Sequence, residues 1–151
     1  MFSQTAEYAL RAIVHLANES GGPRTARQIA EATQVPVPYL LKILHGLTRA
    51  GLIDSQRGLH GGFTLRKPAA ALTLYEIVQS VDPLQRICWC PLGIRSHGAS
   101  LCPLHRRLDD AVGLVENALR ATTVAELLEE NTGSKPLCDV AALAGREKIQ
   151  V

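Results

Sequence analysis

The chain has 151 residues and a mass of 16.3 kDa, room for one compact domain with an appended element, which makes a multidomain enzyme a poor fit. Apolar residues make up 46% and charged residues 20%, a globular balance in which nothing approaches the ~20 consecutive apolar residues of a membrane span. The net charge of +2 is too small to argue nucleic-acid binding by itself. Its basic excess lies in the first half: residues 1 to 80 carry 8 basic and 5 acidic side chains, residues 81 to 151 carry 8 and 9.

Met1-Phe2-Ser3-Gln4-Thr5-Ala6-Glu7 has no basic stretch leading into an apolar run, so no secretory signal is read there and a cytoplasmic protein is expected. Ala6, Leu10, Ile13, Val14 and Ala17 recur at helical spacing and predict a first helix ending near Gly21-Gly22-Pro23. Thr25-Ala26-Arg27-Gln28 has the form of a capping box and opens a short helix over about 26–33. After a turn containing Pro36, Leu40, Ile43, Leu44 and Leu47 form the apolar stripe of a third helix, with Gly51 as its terminating residue. Leu52-Ile53-Asp54-Ser55 and Phe63-Thr64-Leu65-Arg66 read as short strands, joined by the glycine-dense loop Arg57-Gly58-Leu59-His60-Gly61-Gly62. Two more capping boxes, at Thr73-Leu74-Tyr75-Glu76 and Thr123-Val124-Ala125-Glu126, open a fourth helix and a short final one. Between them lie a cysteine-bearing loop and, from Pro103, a long helix whose stripe is Leu104, Leu108, Val112, Val115 and Leu119. The resulting division is 1–82, the first four helices and the hairpin; 83–102, the cysteine loop; 103–130, the long helix and a short packing helix; and 131–151, an irregular tail.

Helix, turn, helix and glycine-rich hairpin in this order predict a mainly α fold, a winged helix-turn-helix whose third helix fits the DNA major groove. Tyr39, Lys42, His45 and Arg49 fall on the face away from the apolar stripe, where Lys and Arg meet phosphates or guanine edges and Tyr reaches a phosphate or a thymine methyl. The wing adds Arg57 and His60, and an arginine on a narrow loop suits the negative potential of the minor groove. Winged helices also serve as protein-interaction modules, so fold alone does not establish DNA binding. No nucleophile elbow, phosphate-binding loop or dinucleotide fingerprint is present, so no enzyme activity is expected.

Four cysteines, Cys88, Cys90, Cys102 and Cys138, point in a reducing compartment to free thiols or metal ligands. His105 follows Cys102 by three residues, about one helical turn, so Cys90, Cys102 and His105 can converge.

Glu7-Tyr8-Ala9-Leu10-Arg11-Ala12, the helix-turn-helix with Tyr39-Leu40, and the run Gly51-Leu52-Ile53, Arg57-Gly58 and Gly61-Gly62-Phe63 resemble the IscR/NsrR-type iron–sulfur transcription regulators, over residues 1 to about 130. The Arg-Gly-x-x-Gly-Gly-aromatic wing is the most specific part. The resemblance implies a homodimer joined through the long helix, with the helix carrying Tyr39 and the wing Arg57 reading a double-stranded operator. It departs before the reading helix, where some relatives have small hydroxyl residues and this chain has Pro36 and Pro38, which donate no backbone N–H to a phosphate.

The resemblance also implies an iron–sulfur cluster held by three cysteines about six residues apart, sometimes with a histidine three beyond the last. Cys90, Cys102 and His105 match this pattern, while Ser96 stands at the middle position. Glu7 is the preferred addition, since some relatives use a carboxylate there, contributed across the dimer; Cys88 is a second candidate, crowded by Cys90 two residues away. Mixed thiolate, imidazole and carboxylate ligation favours [2Fe-2S] over [4Fe-4S]. The alternatives are structural zinc on Cys88, Cys90, Cys102 and His105, or a metal-free switch forming a Cys90–Cys102 disulfide. Cys138 reads as an incidental thiol, Glu7 equally as a solvated first-turn acid, and His15 and His45 as helix-surface residues rather than ligands. The expected protein is a repressor whose operator affinity follows the cluster's response to redox state, nitric oxide or iron supply. A zinc-stabilised or thiol-switched regulator or interaction module is the alternative.

Overall fold

A computed structural model describes residues 2–19, 22–90, 93, 101–130 and 136–137. Ser96, Cys138 and nearly all of the expected tail lie outside the described residues. The elements are α1 (Gln4–Asn18), α2 (Ala26–Thr33), α3 (Val37–Arg49), β1 (Ile53–Gln56), β2 (Gly62–Leu65), a 3-10 turn (Ala69–Ala71), α4 (Leu74–Val81), α5 (Pro103–Ala121) and α6 (Val124–Glu129). This is the mainly helical winged-helix architecture expected, and none of the helices among the described residues is long and apolar enough to cross a membrane.

The helix starts follow their caps. Thr25, Thr73 and Thr123 each accept the N–H three residues on, while Gln28, Glu76 and Glu126 reach back to the cap backbone. Ser3 caps α1 by accepting from the Ala6 N–H at 3.2 Å. α3 begins at Val37, three residues before Leu40, the first residue of its apolar stripe. Pro36 is its N-cap and Pro38 sits in the first turn, where a missing N–H leaves nothing unpaired, and the N–H groups of Tyr39 and Leu40 both bond the Pro36 carbonyl.

The strands are antiparallel, from Ile53 opposite Leu65 to Gln56 opposite Gly62, one residue displaced from the expected spans. The displacement has a cause outside the hairpin. Arg24 exchanges both backbone hydrogen bonds with Phe63, at 3.0 and 2.8 Å, and draws Gly62 into the ladder. A Cβ on Gly62 would stand 2.6 Å from the Arg24 carbonyl oxygen, and one on Gly61 2.4 Å from that of Gln56, so only glycines permit this wing.

α1 is the centre of packing, against α2, α3, α4 and α6. Ala9, Ala12 and Ile13 are fully buried among Ile29, Leu40, Leu44, Leu47, Ile53, Leu72, Ile77 and Val124. Each buried leucine or isoleucine contributes about 1.5–3 kcal/mol over its exposed state, an upper figure for a compact unfolded chain. Val124 returns the chain to this core: its N–H bonds the Leu72 carbonyl at 2.9 Å, the Leu74 N–H bonds the Thr122 carbonyl at 3.0 Å, and the two threonine caps lie side by side. α5 differs, with no buried residue along its length.

Candidate nucleic-acid interface and cysteine site

α3 buries Leu40, Ile43, Leu44 and Leu47, and this turns Tyr39, Lys42, His45 and Arg49 outward. Arg57 and His60 are likewise exposed on the loop between β1 and β2. All six residues expected to meet DNA are therefore exposed on the reading helix and the wing.

Tyr39 has partners that its spacing does not announce. Its hydroxyl shares a 2.8 Å hydrogen bond with Thr5 of α1, and its ring meets Tyr8 edge to face, with centroids 5.7 Å apart. Gln4 donates to the Tyr8 hydroxyl at 2.8 Å, and the Arg11 guanidinium lies 5.5 Å from the Tyr8 ring centre. Arg11 also pairs with Glu7 one turn earlier and donates to the Thr33 carbonyl at 3.3 Å. Glu7, Arg11, Tyr8 and Tyr39 thus form a continuous surface path from α1 to the reading helix. No local spacing announces that its two ends meet, because its closing step joins residues more than thirty positions apart.

At the start of α5, the structure brings together two of the expected metal ligands. Cys102, its N-cap residue, places Sγ 3.2 Å from Nδ1 of His105, and both are half-buried. Metal–sulfur and metal–nitrogen bonds of about 2.3 and 2.0 Å at a tetrahedral angle put two such donors about 3.5 Å apart, so the pair fits one edge of a metal site. The other expected ligands do not join them within one chain. Cys88 is exposed, with Sγ 3.8 Å from the Arg86 carbonyl oxygen; Cys90 is half-buried; Glu7 faces solvent beside Arg11. Among the described residues no group of three or more His, Cys, Asp or Glu side chains converges.

The segment leading to Cys88 is tied to α5 by charge. The Arg86 guanidinium and the Ile87 N–H hold the Asp109 carboxyl down at about 2, and the same carboxylate keeps Arg86 firmly protonated. Farther along α5, hydrogen bonds from Arg120 and Tyr75 lower Glu116, while that bond raises the Tyr75 hydroxyl.

Comparison with known proteins agrees with this architecture. A curated protein of Aquifex aeolicus, named as an HTH-type transcriptional regulator, is 26% identical over 131 residues, 85% of this chain and 91% of that protein. CymR of B. subtilis, described as a global cysteine regulator, superposes with a TM-score of 0.69 at 26% identity, over 84% of this chain and 95% of its own. The oxidized form of Staphylococcus aureus CymR gives 0.68 at 28% identity, over 86% and 97%. IscR of T. potens shares the fold, with a TM-score of 0.70 at 24% identity, over 85% and 86%. These relatives are transcription regulators, not enzymes. The family model described as iron-dependent transcriptional regulator, Rrf2, matches residues 2–130, and the chain belongs to the Rrf2 family of transcription regulators.

Proposed function

We propose that this regulator binds a duplex operator as a homodimer in the cytoplasm and represses transcription, with affinity set by an iron–sulfur cluster at the start of α5. The observation that carries the DNA half is the outward row Tyr39, Lys42, His45 and Arg49 on a helix buried on its other side, next to a wing locked by Gly61 and Gly62. Lys42 and Arg49 neutralise phosphates and meet base edges, while Arg57 and His60 enter the neighbouring minor groove. The exposed Leu104, Leu108, Leu114 and Val115 of α5 are the surface for a second copy. Residues 1–82 read DNA, 83–102 carry thiols, 103–130 join the copies, and 131–151 form the tail.

Cys102 and His105 supply the preformed edge of the metal site, Cys90 the next thiolate, and Glu7 of a second copy the carboxylate, with Cys88 in reserve. The bound group supplies a redox- and nitric-oxide-sensitive link, and this mixed donor set suits [2Fe-2S]. Glu7, were it to hold the group, would leave Arg11 with the Thr33 carbonyl and the Tyr8 ring in place of its carboxylate partner. The Tyr8–Tyr39 contact then passes that change to the reading helix. The effect is a population shift whose size equals the differential affinity of the two arrangements for operator.

A specific observation favours a second reading, a metal-free thiol switch: among the described residues Cys102 and His105 are the one pair of expected donors in contact, and Cys88, Cys90 and Cys102 form no disulfide. Iron and acid-labile sulfide analysis with a visible spectrum on anaerobic protein separates the two. Iron with sulfide and a chromophore supports the cluster; zinc alone, or no metal after reconstitution, overturns it. DNA binding is tested separately with Lys42→Ala and Arg57→Ala in titrations of a duplex probe. Each loses affinity, and loss of a phosphate contact lowers the salt slope by about one; unchanged affinity in both overturns the interface.

A further inference from the structure

α5 carries a second stripe. Cys102, His105, Asp109, Gly113 and Glu116 recur at intervals of three and four and so line one face. All five are half-buried, whereas Leu104 and Leu108 are exposed. Arg86, which precedes the thiols, lies across this stripe. Its guanidinium forks Asp109, Nε to Oδ1 at 2.7 Å and Nη2 to Oδ2 at 2.6 Å, and Nη1 reaches Glu116 at 3.4 Å. The same Oδ1 accepts the Ile87 N–H at 2.8 Å. Glu116 is held in turn by Arg120 at 2.9 Å, and Arg120 lies 3.4 Å from the centre of the Tyr75 ring of α4.

Gly113 belongs to the same arrangement. Glycine is a poor helix former, yet it stands in the middle of the longest helix. A Cβ there would come within 3.3 Å of Arg86 Cζ and 3.4 Å of both terminal nitrogens, so the bare backbone is the seat of the guanidinium.

We propose that Arg86 and Asp109, seated at Gly113, are the positioning pair that pins Cys88-Trp89-Cys90 onto the face of α5 that carries Cys102 and His105. The inference rests on the cysteine-site reading above. Asp109 is one helical turn beyond His105, about 6 Å along the axis, and Cys90 lies three residues after the pinned Ile87, a reach of at most about 10 Å. Without the pin, the thiols lose this tie to α5, and their effective concentration at the Cys102–His105 pair falls. The planar fork is what an arginine supplies and a lysine does not.

Trp89 is the sole tryptophan, sits between the two thiols and is 76% exposed, so its fluorescence anisotropy reads the segment directly. Asp109→Asn, Arg86→Lys and Gly113→Ala are each expected to free Trp89 while leaving the far-UV helix signal intact. Each is also expected to release reconstituted iron and sulfide to a chelator about tenfold faster than wild type, the usual scale for losing a residue that orients a metal ligand. Unchanged Trp89 mobility in Asp109→Asn and Gly113→Ala overturns the anchor, and increased mobility with wild-type retention overturns the positioning role. A wild type that takes up no iron or sulfide defeats the cluster reading alone. The pair is then judged by the rate at which oxidised glutathione, itself reduced to two glutathione thiols, closes the Cys90–Cys102 disulfide in a Cys88→Ser, Cys138→Ser background: slower closure in Asp109→Asn supports it and equal closure overturns it.

Discussion

The winged-helix part and α5 are built on opposite terms. Around α1 every apolar stripe meets another from the same chain, and Ile13, Leu40, Leu44 and Ile77 have almost no exposure. α5, the longest helix among the described residues, has no fully buried residue; Leu104 and Leu114 are 64% and 72% exposed, and charged groups tie it to the rest of the chain, Arg86 to Asp109 and Glu116, and Arg120 over the Tyr75 ring. Hydrophobic burial holds a single native arrangement because cores are close-packed, whereas exposed ion pairs contribute about 0–1 kcal/mol each and yield readily. The reading head is thus rigid, while the part proposed to carry the second copy and the metal is completed from outside the chain.

The sharpest test of that contrast is a cavity in the core. Leu44→Ala is expected to cost about 2–5 kcal/mol in denaturant titration, whereas Leu108→Ala should leave unfolding of the winged-helix part nearly unchanged; equal losses would erase the distinction. Next in size, Leu108→Glu places charge on the face assigned to the second copy and should shift the protein to monomer in sedimentation velocity at micromolar concentration. Dimer retention would mean that another surface joins the copies.

The shared clasp gives smaller effects. Thr73→Ala and Thr123→Ala should each cost about 1 kcal/mol as lost caps. Because the two threonines lie side by side, the double mutant should be non-additive in a thermodynamic cycle.

The smallest effects are those of pH. Burial holds His15 below its ordinary value of 6.5, with Glu19 opposing and Arg24 assisting. The fold prefers the neutral imidazole, so as pH falls through 6.5 the unfolded chain takes up a proton first and stability declines; comparing urea midpoints of wild type and His15→Gln at pH 7.5 and 5.5 checks this. At Asp109 the sign is set by the ionised form: its contribution is complete above the ordinary 3.8 and disappears as pH falls towards about 2, visible as loss of Trp89 anisotropy.

Much of the reading head was legible in the chain because its signals are local. Threonine caps, apolar spacing and glycine density lie within a few residues of what they determine, and α2, α4 and the start of α5 match their expected spans. The strands slipped by one residue because Arg24, beyond the hairpin, dictates how Phe63 pairs. The outward row on α3 followed from periodicity, but the Thr5 and Tyr8 contacts of Tyr39 did not. At the cysteine site, the spacing of Cys102 and His105 announced their meeting, since one helical turn joins them. Arg86 and Asp109 are 23 positions apart, and neither carries a pattern that names the other. Gly113 was mute in sequence and explicable only once the guanidinium lay above it.

The return of Val124 to the core also orders events during synthesis. Its backbone partner Leu72 is 52 positions earlier, so the reading head stays unfinished until the thiol segment and the whole of α5 have left the ribosome. Closing so wide a loop is slow compared with local helix formation, while its entropic cost grows only logarithmically with length. A nascent chain therefore cannot complete its DNA-reading core before it has made the segment proposed to regulate it, and a chain truncated before α6 leaves the pocket of Val124 open.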